Sequence, residues 1–296
     1  MSATTSKTRP TSLEEMRERQ AKMFTKEEFA AGMALKLRPT DVVITPFAKC
    51  GTTWMQQIVH TLRTRGDMDF DDISRVVPWI ETSAALGIDL NAEQRAEPRA
   101  FKSHLGWDVV PKGGRYINVV RDPADALVSL YKFNEGWNWV PGTVGMEEFA
   151  LTGFIAQRGY YKHLKSWWPR RNDEDVLFLA YEHMNRDVRR TIERVAAFIG
   201  VDLDDELLEI TVEHSSMAFM LAHKDRFDDY LMRRLSEERM NLPEGSDSAK
   251  VREGKSGSGA EIGGKVRAEL ERLWQEEITA ELGFPDYPSL IATLDD

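Results

Sequence analysis

The apolar positions of this chain fall into two spacings. Four short runs are mostly continuous in apolar character: 42–46 (VVITP), 99–103 (RAFKS), 116–120 (YINVV) and 176–181 (VLFLAY). Such runs suit strands covered on both faces. Between them the period lengthens to that of a helix. Met55, Ile58, Val59 and Leu62 share one face just after the first run. A second pattern, 123–134, opens on Pro123, a residue suited to a first helical turn. A third, 186–199, aligns Ile192, Val195, Ala196 and Ile199 and meets Gly200 at its end. A fourth, 264–282, gathers Val266, Leu270, Leu273, Trp274 and Ile278 before Gly283 and Pro285. Near the start, Ser12 and Glu15 have capping-box spacing, which predicts a helix from Leu13 to Phe24. Alternating strands and helices predict an α/β fold, a single domain with a central parallel sheet flanked by helices. Residues 1–24 read as a tail and helix ahead of the main body, 25–296. Two stretches read as mobile: 135–146, which mixes aromatics with glycines, and 236–263, polar and charged and glycine-rich from Glu253 onward.

Composition narrows the class. A chain of 296 residues, 42% apolar and 30% charged, can bury a full core. No apolar run approaches the roughly 20 residues of a membrane span. The opening MSATTSKTRPTSLEEM lacks the apolar centre of a secretory signal. The single cysteine, Cys50, suits a reducing cytoplasm. A net charge of −10 argues against general affinity for nucleic acid. Any polyanionic ligand must then meet a local basic cluster.

One stretch carries the strongest chemical signal. In DVVITPFAKCGTTWMQQIVHTLRT, residues 41–64, a strand stops at Pro46, a loop holds Lys49 and Gly51, and a helix follows. Strand, glycine loop and helix start form an anion cradle, because the first N–H groups of a helix lack internal partners and point outward. Lys49, Thr52 and Thr53 add charge and hydroxyls there. The order differs from the Walker pattern, since Lys49 precedes Gly51. The loop is therefore P-loop-like without being a standard triphosphate site. Three more stretches support it. VVRDPADALVS puts Arg121 at a strand end and Ser129 two turns into the next helix, where a guanidinium can fork onto a phosphate. VREGKSGSG offers Arg252, Lys255 and bare backbone amides. FKSHLGW sets Lys102 and His104 just past a strand, at the edge where open α/β sheets bind ligands.

Together and in this order, these stretches resemble the cytosolic sulfotransferases that use 3′-phosphoadenosine 5′-phosphosulfate (PAPS) and leave adenosine 3′,5′-bisphosphate (PAP). TPFAKCGTTW is similar to the family's TYPKSGTTW, FKSHL to KTHLP, and VVRDPADALVSLYKF to its arginine–serine segment. LAYEHM is similar to YEDM, VEHSSMAFM to the HTSF–M stretch, and REGKSGSG to the RKG–G loop. The resemblance covers roughly residues 40–265 and implies a sulfotransferase-like catalytic domain acting on a small-molecule acceptor. It implies that Lys49, Gly51, Thr52 and Thr53, with the backbone of Cys50, hold the phosphosulfate and that Trp54 stacks on adenine. It also implies that Lys102 touches the transferring group, His104 is the general base, and Arg121 and Ser129 bind the 3′-phosphate. Tyr181, Ser215 and Met217 would line the adenine pocket, and Arg252, Glu253 and Gly254 would cover the 3′-phosphate. Met217 stands where the family has phenylalanine, and Glu253 where it has lysine, a loss that Lys255 would offset. The family's KTVE dimer motif has no clear match, so no oligomeric state follows.

Sulfuryl transfer is nearly in line and loosely bonded at its transition state, so positioning and charge dominate and no metal is required. His104 would take the acceptor's proton, and Lys49 would stabilise or protonate the leaving oxygen. Phe47, Trp79, Trp107, Trp137 and Trp139 are candidates for an apolar acceptor pocket, with Trp137 and Trp139 on a lid-like loop. Two other readings stand beside this one. A P-loop kinase or NTPase would use Asp122, at the end of INVVRD, to hold Mg²⁺. A non-catalytic binder of adenosine bisphosphate would use the same cradle without turnover.

Overall fold

A computed structural model describes residues 7–246, 250–251 and 256–294. Its sheet has four parallel strands: β1 (Val42–Ile44), β2 (Ala100–Lys102), β3 (Arg115–Val120) and β4 (Val176–Ala180). Their spatial order is β2-β1-β3-β4. Val42 and Ile44 face one apolar cluster and Val43 the other, as the two-residue repeat of a strand requires. Both sheet faces are therefore buried, which is why these runs are apolar throughout.

The first cluster is completed by the helix Thr52–Thr64, whose Met55, Ile58, Val59 and Leu62 are buried, and by Val188–Ile199 through Ile192, Val195 and Ile199. Gly200 closes the latter helix with φ of 76°, the left-handed geometry that glycine adopts without steric cost. On the opposite face lie Pro123–Trp137, Gly159–Trp167 and Gly264–Trp274. The last continues through a π-helical turn, Gln275–Thr279, to Leu282, matching the expected 264–282.

Three expectations need correction. The first helix ends at Gln20 and not at Phe24. Thr25 and Glu28 form a reciprocal capping box that starts a second helix, Lys26–Met33, and an N-cap residue must be extended. Leu13 and Met16 belong to the main core. The stretch 135–146 is not a loose lid: the helix runs to Trp137, and Trp139 is fully buried between Tyr131 and Phe149. In 236–263, helical structure persists to Arg239. Among the described residues no helix is long and apolar enough to cross a membrane.

Candidate active site

With β2 on one side of β1 and β3 on the other, the chain changes direction across the β1/β3 boundary. Ligands of open α/β sheets sit beyond the carboxyl ends of the strands at such a point. β1 ends in the Lys49–Gly51 loop, β2 in Lys102 and His104, β3 in Arg121, and β4 in Tyr181. A cavity of about 940 Å³ opens there. Among the described residues five cations line it, Lys49, Lys102, Arg121, Lys132 and Lys250, against two carboxylates, Asp229 and Glu261. The local basic cluster expected of this acidic chain is therefore present among the described residues.

The loop has the geometry of an anion cradle. Gly51 is the N-cap of Thr52–Thr64, has φ of 92°, and leaves the helix start without a side-chain cap. A Cβ at Gly51 would stand 2.9 Å from the Tyr181 ring, so both backbone and packing require glycine. Lys49 also has positive φ, 68°, and its carbonyl accepts a 3.1 Å hydrogen bond from Arg121. Arg121 lies 4.3 Å from the Tyr181 ring centroid and 3.8 Å from Asp125, which ties the ends of β1, β3 and β4 together. Buried Thr52 lines the cavity, and its Oγ1 has no partner among the described residues. Cys50 lies in the core, its thiol pushed up to about 12 by burial, and contributes backbone only.

Next to the loop, Lys102 is 1% exposed with its ammonium 3.9 Å above the Trp79 ring. Burial, then the charge of Lys250, lowers its pKa to about 8. The His104 N–H donates to Glu81 at 2.7 Å, and its Nδ1 lies 2.7 Å from the Pro46 carbonyl oxygen. A carbonyl only accepts, so Nδ1 carries the proton and Nε2 keeps a lone pair. Burial, then Lys102, holds the ring's pKa down to about 3 against the Pro46 carbonyl, so the imidazole is neutral at ordinary pH.

Farther along, Trp54 meets Tyr181 edge-on at 5.7 Å, and both line the cavity with Ser129, Ser215 and Met217. The backbone N–H groups of Gly257 and Gly259 donate to buried Asp125 at 2.8 and 2.6 Å. This clasp brings Ser256–Ser258 to the wall that Arg121 and Ser129 share. Arg252, Glu253, Gly254 and Lys255 lie outside the described residues.

The sequence-predicted aromatics divide. Trp79 and Trp137 line the cavity. Phe47 does not: it packs on Phe154, Tyr160 and His163. Trp107 packs on Tyr116 and Trp167, with Lys112 and Arg170 over its ring. Trp139 is core. A tryptophan's position in sequence does not say which side of its element faces a cavity. Sequence reasoning also missed Asp125, Lys132, Asp229 and Lys250, and the methionines Met23, Met232 and Met240. Asp125 stands one helical turn after Arg121, a readable signal. Lys250 carries no local motif, and the methionines converge from separate segments.

Asp122 accepts from the Ala124 and Asp125 amides as an N-cap and is absent from the cavity lining. Asp122 therefore serves the helix start and does not face the cavity, where the kinase reading needed it.

Residues 39–277 match the family model described as the sulfotransferase domain. The chain is 32% identical over 198 residues to sulfotransferase 1B1 of Canis lupus familiaris, covering 62% of this chain and 67% of that one. To sulfotransferase 2A1 of Macaca fascicularis it is 29% identical over 255 residues, covering 82% and 86%. Its fold is similar to mouse sulfotransferase SULT7A1 complexed with PAP, with a TM-score of 0.67, 20% identity, and 88% and 92% of the two chains covered. It is also similar to retinol dehydratase in complex with retinol and PAP, with a TM-score of 0.67, 19% identity, and 90% and 86% covered.

Proposed function

As a member of the sulfotransferase family, the chain moves a sulfuryl group from PAPS to a small acceptor, and we propose how its own residues do so and that the acceptor is apolar. The observation that carries the assignment of roles is the convergence of Lys49, Lys102, His104 and Arg121 on one cavity at the β1/β3 boundary. The donor supplies the activated sulfuryl group. The amides of the Gly51–Thr53 helix start, with Lys49 and the Thr52 hydroxyl, hold its 5′ end. Arg121 and Ser129 hold the 3′-phosphate, with Ser256–Ser258 against them. Trp54, Tyr181, Ser215 and Met217 receive the adenine. That both fold neighbours are complexed with PAP supports this placement.

His104 Nε2, unprotonated, accepts the acceptor's proton as the new S–O bond forms and the S–O bond to the phosphate breaks. Lys102 faces the sulfuryl oxygens, and Lys49 stabilises the electron pair arriving on the leaving phosphate oxygen. The acceptor end is walled by Met23, Trp79, Phe133, Trp137, Met232 and Met240. Thioether chains adapt their shape, which suits a range of apolar alcohols or phenols over one tightly specified molecule. The Trp137 indole N–H is already bonded to Ser236 at 2.9 Å, so that ring presents an apolar face. The lone buried thiol of Cys50 is consistent with a cytoplasmic protein.

The test is a sulfuryl-transfer assay with PAPS and a graded series of phenols and aliphatic alcohols, with and without EDTA. Turnover that rises with acceptor hydrophobicity and ignores EDTA is expected. Preference for sugar-like or anionic acceptors would overturn the apolar reading, and loss of rate in EDTA would overturn the metal-free one.

A further inference from the structure

Asp229 and Lys250 form an ion pair that no motif singled out. The Lys250 ammonium lies 2.5 Å from Asp229 Oδ1, with side chains 10% and 5% exposed. Both line the cavity beside Lys49 and Lys102. Asp229 stands just ahead of the helix Tyr230–Arg239 with φ of 55°, an uncommon left-handed conformation for a residue other than glycine. Burial works to raise the Asp229 pKa, yet Lys250, Lys102 and Lys49 together outweigh it and hold the carboxyl at about 2. One carboxylate thus sits amid three ammonium groups. Lys250 is also the leading charged influence on Lys102, and it acts on His104 as well. The lysine therefore lies near both groups assigned to the reacting end.

Resting on the sulfotransferase reading, we infer that Lys250 is a third cation of the transfer site, facing the sulfuryl oxygens with Lys102, and that Asp229 is the positioning residue that holds it there. A buried lysine needs a counter-charge, and removing one partner of such a pair leaves a costly unpaired charge. Asp229 supplies that counter-charge while no donor is bound and fixes where the ammonium sits. When the donor enters, its anionic phosphosulfate shares Lys250 with Asp229. During transfer the S–O bond to phosphate breaks, its electron pair stays on the leaving oxygen, and the acceptor oxygen bonds to sulfur as its proton passes to His104. Lys250 gives up no proton. Its ammonium stabilises the charge spread over the three sulfuryl oxygens, an interaction strongest at the transition state.

The test compares Lys250→Met, Lys250→Arg and Asp229→Asn with wild type, measuring kcat, KM for PAPS, and affinity for PAP, which lacks the sulfuryl group. Wild type binding PAP and turning over PAPS first establishes the underlying reading, and its failure there would be that reading's failure alone. Lys250→Met is expected to lose about a hundredfold in kcat, the scale of one removed charge-stabilising donor, while its PAP affinity stays within about twofold of wild type. Lys250→Arg should recover most of the rate. Asp229→Asn should lower kcat by about tenfold with PAP affinity held, since the ammonium remains but wanders. Wild-type kcat in Lys250→Met overturns the role of Lys250. So does a loss of PAP affinity in Lys250→Met that matches its loss of rate, because that places Lys250 in nucleotide binding or folding. Wild-type kcat in Asp229→Asn overturns the positioning role.

Discussion

His104 is neutral in the fold, and its proposed role depends on that. With Nδ1 committed to the Pro46 carbonyl, the ring can only accept a proton at Nε2. His104→Ala should cut turnover by about 10²–10⁴-fold while PAP still binds, if the imidazole serves the proton transfer proposed above and not the nucleotide. Steady-state rates and titration calorimetry check this, and a near-wild-type rate would remove His104 from the mechanism. Arg121 is expected to act on one phosphate. Arg121→Ala should erase most of the preference for PAP over AMP, and a mutant that discriminates as well as wild type would show the assignment wrong. That these two residues line the cavity was legible in sequence, because each lies within two residues of a strand's end, at the sheet edge where ligands gather. Lys250 was not legible, since its place depends on an ion pair with a residue 21 positions earlier in the chain.

Among the elements, the loop between β1 and its helix carries the tightest constraint. Gly51→Ala meets both a left-handed φ and the Tyr181 ring at 2.9 Å. It should cost about 1–3 kcal/mol and disturb the amide cradle. Thermal unfolding and PAP affinity should both fall, and an unchanged pair would contradict the geometry. The clasp of Ser256–Ser258 onto Pro123–Trp137 depends on Asp125. Asp125→Ala releases two charge-assisted hydrogen bonds and should weaken PAP about tenfold, read by calorimetry. Strand positions were readable to within about two residues because all four runs are buried on both faces. The lid expectation at 135–146 failed for a physical reason. Its glycines suggested freedom, but Trp137 and Trp139 bury enough apolar surface to pin the segment. The capping box at Thr25 was present in the sequence and decided where the first helix ends.

Across the whole molecule, acid should act early. His60 and His163 are buried and held down to about 4, and His104 to about 3, in each case by burial first. Their folded values lie below the unfolded value near 6.5. The unfolded chain therefore binds more protons between those limits, and stability falls as pH drops through that window. Each fully buried histidine contributes about 1.4 kcal/mol per unit of separation at most. The unfolding midpoint should start to fall near pH 6.5 and keep falling toward pH 4, and a flat profile down to pH 4.5 would contradict the buried neutral state. The same burial concentrates charge. Among the described residues, a chain of net charge −10 keeps five cations around one cavity; composition concealed this, and the motifs revealed Lys49, Lys102 and Arg121 but not Lys132 and Lys250.

Titration calorimetry of the intact chain with PAP and, separately, with AMP tests the nucleotide site most directly. Two anchored phosphates predict one-to-one binding of PAP at least about tenfold tighter than AMP, the scale of a charge-assisted hydrogen bond at Arg121. Equal affinities, or no heat from PAP on folded protein, would contradict the account.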